Sequence, residues 1–226
     1  MQNVKTMYIF AGPNGSGKST IIAEFLRDKV EVFYVCADEI SRELSLNALT
    51  EDDNNRSMAA LYCSEEMVRY LIMKGQTFAY ETVLSSQHKW PLFQLAKDNG
   101  YHLITLFVTT RDVSINIRRV AARVAVGGHN VPEEKIRKRY LGSMMNLGKL
   151  LLVSDELIVF DNSEESDTLD TAKQILHNGS KGLYVNEFCP WIQELTAEWL
   201  QEGVIIRRNG ELIKGKQATE NEEGSA

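Results

Sequence analysis

The chain has little of what would make it a secreted, metal-held or membrane protein. It carries only three cysteines, Cys36, Cys63 and Cys189, which are far apart and odd in number. No CxxC pair and no Cys/His cluster occurs, which argues against a disulfide framework and a zinc site and for buried reduced thiols. No run of about 18 apolar residues occurs, so no membrane-spanning helix is expected. The N-terminus, MQNVKTMYIF, has neither the long apolar stretch nor the cleavage site of a signal peptide. These absences predict a cytoplasmic protein. Positive charge is also in deficit: 25 Lys and Arg face 31 Asp and Glu, a formal charge of −6. A general nucleic-acid binder needs a basic excess, so no nucleic-acid partner is expected. A local basic site remains compatible with this balance.

What is present is ordinary for a globular domain. Apolar residues make up 43% and charged residues 25% of 226. That length suits one domain with a small appendage and buries a sizeable core. Strand-like and helix-like segments alternate. MYIFAG (Met7–Gly12) is an apolar run ending in glycine, and a helical pattern follows over 18–29. VFYVCAD (Val32–Asp38) reads as a second strand, with helical segments at 39–45 and 56–74. The longer of these shows Met58, Leu61, Tyr62, Val68, Leu71 and Ile72 along one face. TFAYET (Thr77–Thr82) is a third strand and YHLITLFVTT (Tyr101–Thr110) a fourth, separated by a helix over 87–99. Helices over 111–126 and from Pro132 to about 152 precede a fifth strand, DELIVFDN (Asp155–Asn162). A further helix is predicted over 168–177.

This alternation predicts an α/β fold with a mostly parallel, five-stranded sheet flanked by helices. The division expected is 1–178 for that domain, 179–216 for a small appendage, and 217–226 for a disordered tail. Within the appendage, Asn209-Gly210 predicts a tight hairpin.

The chemistry begins at Gly12-Pro13-Asn14-Gly15-Ser16-Gly17-Lys18-Ser19-Thr20, which satisfies G-x-x-x-x-G-K-[ST] between a strand and a helix. Its glycines let backbone N–H groups curl around a phosphate, and the helix that follows brings its positive end there. Lys18 supplies a charge for the outer phosphates and Ser19 a hydroxyl for Mg²⁺. ATP and Mg²⁺ are therefore the expected cofactors. No N-K-x-D base-reading motif is present, which excludes a switch GTPase. LSSQ (Leu84–Gln87) faintly echoes a transporter signature, but the strand after it ends in threonine without an acid. A small phosphotransferase remains, which needs positioning, charge neutralisation and a carboxylate near the acceptor hydroxyl.

In open parallel sheets, ligands bind outside the carboxyl ends of the strands. Three acids stand there: Asp38, Glu81 and Asp161. Asp38 suits a general base for the acceptor hydroxyl, or a helix cap. Glu81, with Thr82, suits a substrate contact or an outer-shell Mg²⁺ contact. Asp161 and Asn162 suit the loop near the adenine. From Arg111 to Arg139 the local charge is +5. Arg119 and Arg123 lie one helical turn apart and repel unless an anion sits between them. Gly127-Gly128 and Pro132 break the chain between two helices, as in a hinged arginine lid that closes over a transferring phosphoryl group. On the second helix Arg137 and Arg139 flank the apolar stripe on opposite sides, and spacing does not choose between them. His129 suits a turn role.

The segments AGPNGSGKST, ADEISRELS, FAYETVLSS, GYHLITLFV, RRVAARVAVGGHNVPEEKIRKRY and LIVFDNS, in that order from Met7 to Ser163, resemble the zeta toxin family of P-loop kinases, in its short, zeta-toxin-like ATPase branch. Zeta toxins use ATP and Mg²⁺ to phosphorylate the sugar of UDP-N-acetylglucosamine. The resemblance implies Lys18 and Ser19 as nucleotide and Mg²⁺ ligands, Asp38 as base, Glu81 as substrate contact, and Arg123 and Arg137 as lid arginines. It implies a UDP-sugar substrate and an antitoxin protein as partner. Cys36 departs from it, standing where asparagine is expected. The other readings are a kinase of another hydroxyl metabolite or antibiotic, and an ATP-binding regulatory module acting on a protein partner.

Overall fold

The computed structural model describes residues 4–29, 31–46, 53–164, 172–208 and 211–215. The strand β1 (Thr6–Ala11) lies at the middle of the sheet and is buried on both faces. That is the environment its unbroken apolar run calls for, because helices cover both faces of a parallel sheet. β3 (Phe78–Thr82) and β4 (His102–Thr109) flank it, with β2 (Phe33–Val35) outside β3 and β5 (Glu156–Asp161) outside β4. All five strands run parallel. The register sets Phe10 beside Glu81, Ala11 beside Thr82, and Thr109 beside Asp161. The strand-end acids and the start of the glycine loop thus share one edge of the sheet.

The helices are α1 (Lys18–Leu26), α2 (Ala37–Leu46), α3 (Asp53–Lys74), α4 (Trp90–Asp98, after a short 3₁₀ turn), α5 (Val113–Ala125) and α6 (Glu133–Val153). One core lies between the sheet, α3, α4 and α6, built on Met7, Ile9, Tyr80, Leu103, Phe107, Leu147 and Leu151. A smaller one joins Phe10, Leu106 and Val108 to Ile21 and Ile22 of α1. α4 stops at Gly100, whose φ of +73° lets Tyr101 N–H return to the Ala96 carbonyl. On α3 the inward row is Ala60, Ser64, Val68, Leu71 and Ile72, whereas Met58 and Tyr62 are exposed. Apolar identity alone misplaces that row, since much folded surface is apolar.

The sheet has seven strands, not five. The helix predicted over 168–177 is replaced, in its described part, by β6 (Lys173–Gly179), which pairs antiparallel with β5. Ile175 and Leu176 fit a helical face as well as a strand, and pairing with β5 decides for the strand. β6 turns through Ser180-Lys181 into β7 (Gly182–Val185), which pairs antiparallel with it. The residues beyond 178 therefore begin with a strand of the central sheet. α7 (Pro190–Gln201) follows and buries Ile192 and Trp199 in the larger core. Gly148 of α6 admits the Trp199 ring edge, with the indole Nε1 at 3.0 Å from where a β-carbon would stand. β8 (Ile205–Arg208) and β9 (Glu211–Lys214) form the predicted hairpin, with Arg208 opposite Glu211. Its turn residues 209–210 and the predicted tail lie outside the described residues.

Asp155 ties α4 and α6 to the sheet. Its Oδ2 accepts from Leu103 N–H and its Oδ1 from Lys97 Nζ, both at 2.8 Å. Burial disfavours the charged carboxylate, but the Leu103 N–H and Lys97 outweigh it and hold this carboxyl below the usual aspartate range. A depressed folded-state pKa means the stabilisation is complete above the unfolded value of about 3.9 and fades as pH falls through the folded one. Asp155→Ala is expected to lose about 1.5–3 kcal/mol at pH 7, and its deficit against wild type should shrink below about pH 4, measured by urea unfolding across pH.

Candidate active site

At the carboxyl end of β1 the chain turns sharply into the loop. Gly12 has φ +141°, and a β-carbon there would overlap the Val108 carbonyl of β4. Gly17, with φ +91°, is the N-cap of α1, and a β-carbon there would strike the Asn162 side chain. α1 has no side-chain cap and no acid in its first turn. Its leading N–H groups are thus left for an anion. The Ser16 hydroxyl is buried without a hydrogen-bond partner among the described residues. An orphaned buried donor in a loop of this shape fits a phosphate oxygen. Ser19 and Thr20 are exposed in the first turn of α1. Among the described residues no cluster of three His, Cys, Asp or Glu could hold a metal. The exposed Ser19 hydroxyl is the loop side chain that could meet a phosphate-bound Mg²⁺.

Lys18 is buried. Its ammonium donates to the Pro13 carbonyl at 3.1 Å and lies 3.7 Å from Glu81 Oε1. The other oxygen of Glu81 accepts from the Tyr34 hydroxyl and, at 3.6 Å, from the Cys36 thiol. Glu81, partly buried, therefore serves three groups at once, and a carboxylate drawn out of water needs such partners. Burial, and then the Glu81 charge, push the Tyr34 phenol far above its usual range. The same causes raise the Cys36 thiol to about 11. Both stay protonated and act as donors. Asp38 stands exposed in the first turn of α2, and Cys36 rather than Asp38 begins that helix, its carbonyl accepting from Ile40 N–H. The Thr82 hydroxyl accepts from Leu84 N–H, and Leu84 holds φ +51°, the only positive φ outside glycine among the described residues. Ser143 and Asn146 of α6 donate to the carbonyls of Val83 and Leu84. Thr82 thus shapes the turn after β3 beneath α6.

The arginines divide. Arg139 Nη1 donates to Asn14 Oδ1 at 3.1 Å, which places it on the phosphate loop. Arg137 lies on the exposed side of α6, bonded twice to Glu133. Arg123 donates to the His129 carbonyl and so spans the break between α5 and α6. Arg119 donates to the carbonyls of Asn162 and Glu164, and Asn162 Nδ2 donates to the Ser16 carbonyl at 2.9 Å. Beside them a cavity of about 410 Å³ is lined by Arg111, Asp112, Arg118, Ser163 and Glu164, among others. Asn116, fully buried on α5, donates to the Asn14 carbonyl at 2.7 Å and accepts from Thr110. Neither Asn116 nor Tyr34 was singled out by sequence. An amide amid the apolar face of α5 was the available signal for Asn116.

The sequence pattern of the zeta toxin family matches residues 1–174. The chain belongs to the zeta toxin family. An uncharacterized Haemophilus influenzae protein is 30% identical over 142 residues, 62% of this chain and 94% of that one. Among solved structures, a chain of the AvrRxo1-ORF1:-ORF2 complex crystallised with ATP superposes with a TM-score of 0.68 at 13% identity. The alignment covers 85% of this chain and 64% of that one. This protein thus spans under two thirds of that neighbour. A chain of the PezAT toxin–antitoxin system of Streptococcus pneumoniae gives 0.56 at 15% identity, covering 89% and 87%. At such identities these neighbours establish the fold. No helix among the described residues is long and apolar enough to cross a membrane.

Cys63 is exposed and Cys36 buried with a raised thiol pKa. Iodoacetamide at pH 8 should therefore alkylate Cys63 first and leave Cys36 until the protein unfolds, since only the thiolate reacts. Peptide mapping by mass spectrometry checks the order.

Proposed function

We propose that this protein transfers the γ-phosphate of ATP, bound with Mg²⁺, to a hydroxyl of a small molecule, and that the acceptor is a UDP-sugar such as UDP-N-acetylglucosamine. The observation that carries the reading is the convergence of charge on the loop. Lys18 approaches from α1 against Glu81 of β3, and Arg139 approaches from α6 against Asn14. Such an enclosure suits a reaction whose catalysis is mainly positioning and charge stabilisation.

The loop 12–20 cradles the phosphates, with the Ser16 hydroxyl and the first N–H groups of α1 as donors. Ser19 would hold Mg²⁺, which would supply charge neutralisation at the outer phosphates. Arg119, Asn162 and the cavity beside them take the nucleoside side. Asp38, three residues past the end of β2 and in the first turn of α2, acts as base for the acceptor hydroxyl. Glu81 orders Lys18 and meets the acceptor, with Thr82 shaping the turn beside it. Arg123 governs closure of the break between α5 and α6. Of the two arginines on α6 we assign the phosphoryl-facing role to Arg139. Family membership supports the nucleotide-sugar acceptor, a cytoplasmic place of action and a role as the toxin of a toxin–antitoxin pair, with an antitoxin protein as partner.

A phosphate-transfer screen with γ-labelled ATP over UDP-sugars and other hydroxyl metabolites tests the reading. Label is expected in a UDP-sugar. Label only in another metabolite would move the acceptor, and ATP-dependent capture of a protein with no labelled acceptor would favour a regulatory module. Asp38→Asn should lower transfer at least about 100-fold with ATP affinity intact, while Lys18→Ala should lose both. A fully active Asp38→Asn would remove the base assignment.

The arginine assignment separates cleanly. Arg139→Ala should lower turnover about 100-fold or more. Arg137→Ala should stay within about twofold, since its partner is an exposed carboxylate on its own helix. Steady-state kinetics on both variants decide between them.

A further inference from the structure

We infer that Trp191, outside the residues that match the family, is a positioning residue for the nucleotide-binding loop. The proposal rests on the ATP reading for its consequence, but not for its mechanics. Trp191 is the second residue of α7, and its indole Nε1 donates to Asp161 Oδ2 at 2.9 Å. The other oxygen of Asp161 accepts from the Ser163 backbone N–H at 2.9 Å and from the Ser163 hydroxyl. The Ser163 oxygen in turn accepts from Arg111 N–H at 2.8 Å. These bonds fix the turn 161–163 from both sides. Within it, Asn162 N–H continues the ladder to Thr109, its side chain donates to the Ser16 carbonyl, and its carbonyl receives Arg119. The Asn162 amide also fills the space a β-carbon on Gly17 would need. A continuous set of hydrogen bonds thus runs from α7 through Asp161 and Asn162 to the phosphate loop.

Each link has a physical reason to be sensitive. Asp161 is a partly buried carboxylate whose two oxygens divide the work, one toward α7 and one toward its own turn. With the indole N–H removed, that carboxylate is under-satisfied and turns to find another donor, because a buried anion tolerates few unmet acceptors. The turn loosens, Asn162 leaves Ser16, and the loop no longer holds its shape before nucleotide arrives. Preorganised sites lose affinity when such supporting contacts go, even though the supporting residue never touches the ligand. Nothing in the sequence motif hints at this, since Trp191 follows the matched region by 17 positions.

The experiment compares Trp191→Phe, which keeps the ring and removes the donor, with Trp199→Phe on the same helix. Trp199 packs on Gly148 and lies in the core. Two quantities are read on the full chain. One is amide hydrogen exchange in nucleotide-free protein. The other is affinity for a non-hydrolysable ATP analogue by calorimetry. Trp191→Phe should speed exchange at Ser163 and at Gly15–Lys18 while β1 and β4 stay protected, and should weaken analogue binding about tenfold. Asp161→Asn should weaken it too, and the double variant should be no worse than the poorer single one, as coupled residues require. Trp199→Phe should lower the melting temperature without speeding exchange in those loops. Unchanged exchange at Ser163 and Gly15–Lys18 in Trp191→Phe, or additive losses in the double variant, overturns the proposal. If wild type binds no ATP analogue, the ATP reading fails, and the exchange comparison still decides the role of Trp191.

Discussion

The exit of β1 passes so close to the Val108 carbonyl of β4 that residue 12 cannot carry a β-carbon. The rest of the site follows from that close approach. It forces a backbone conformation that only glycine adopts without strain. It lies where β1 ends, with Ala11 still paired beside Phe107 of β4. It also directs the loop across the carboxyl edge of the sheet, where the parallel register has already gathered Glu81 and Asp161. A phosphate loop needs its N–H groups aimed inward with no side chain intervening. Here the sheet itself enforces that arrangement from beneath.

Burying Lys18 inside such a loop would be prohibitive without compensation, and Glu81 provides it at 3.7 Å. The carboxylate is itself stabilised by two donors that cannot lose their protons under ordinary conditions, Tyr34 and Cys36. Cys36 occupies the position where the family resemblance called for asparagine, and both side chains can donate a hydrogen bond to a carboxylate. The thiol donates weakly at 3.6 Å, and the stronger bond comes from Tyr34. The departure at Cys36 is therefore absorbed by Tyr34, two residues back on β2, which bonds the same carboxylate oxygen.

Much of this was legible in the sequence, and the limits were physical. The apolar run before Gly12 and the period after Lys18 located β1, the loop and α1, because motif and periodicity agree there. The acids at 38, 81 and 161 were placed at the sheet edge because parallel strands end on one side. Residues 173–177 were misread as helix because Ile175 and Leu176 satisfy two periods at once, and only the partner β5 breaks the tie. Arg137 and Arg139 could not be separated by spacing, since both border the stripe of Ile136 and Tyr140. The Asn14 amide on one side and Glu133 on the other distinguish them in space. Asn116 and Tyr34 went unremarked because their partners lie 102 and 47 residues away.

The C-terminal residues change meaning once these contacts are set together. Read from sequence, residues 168–177 were a helix of the main domain and 179–216 a small appendage to it. In space, β6 and β7 cover the β5 edge, which would otherwise present unpaired backbone groups. α7 fills the larger core through Ile192 and Trp199, and its Trp191 grips the acid that ends β5. A segment that satisfies a sheet edge, completes a core and braces a ligand loop cannot vary independently of the site it supports. Asp161 shows why: one of its oxygens answers to α7 and the other to Ser163 in the turn that carries Asn162 to the nucleotide loop. A change in either partner therefore shifts the balance felt by the other.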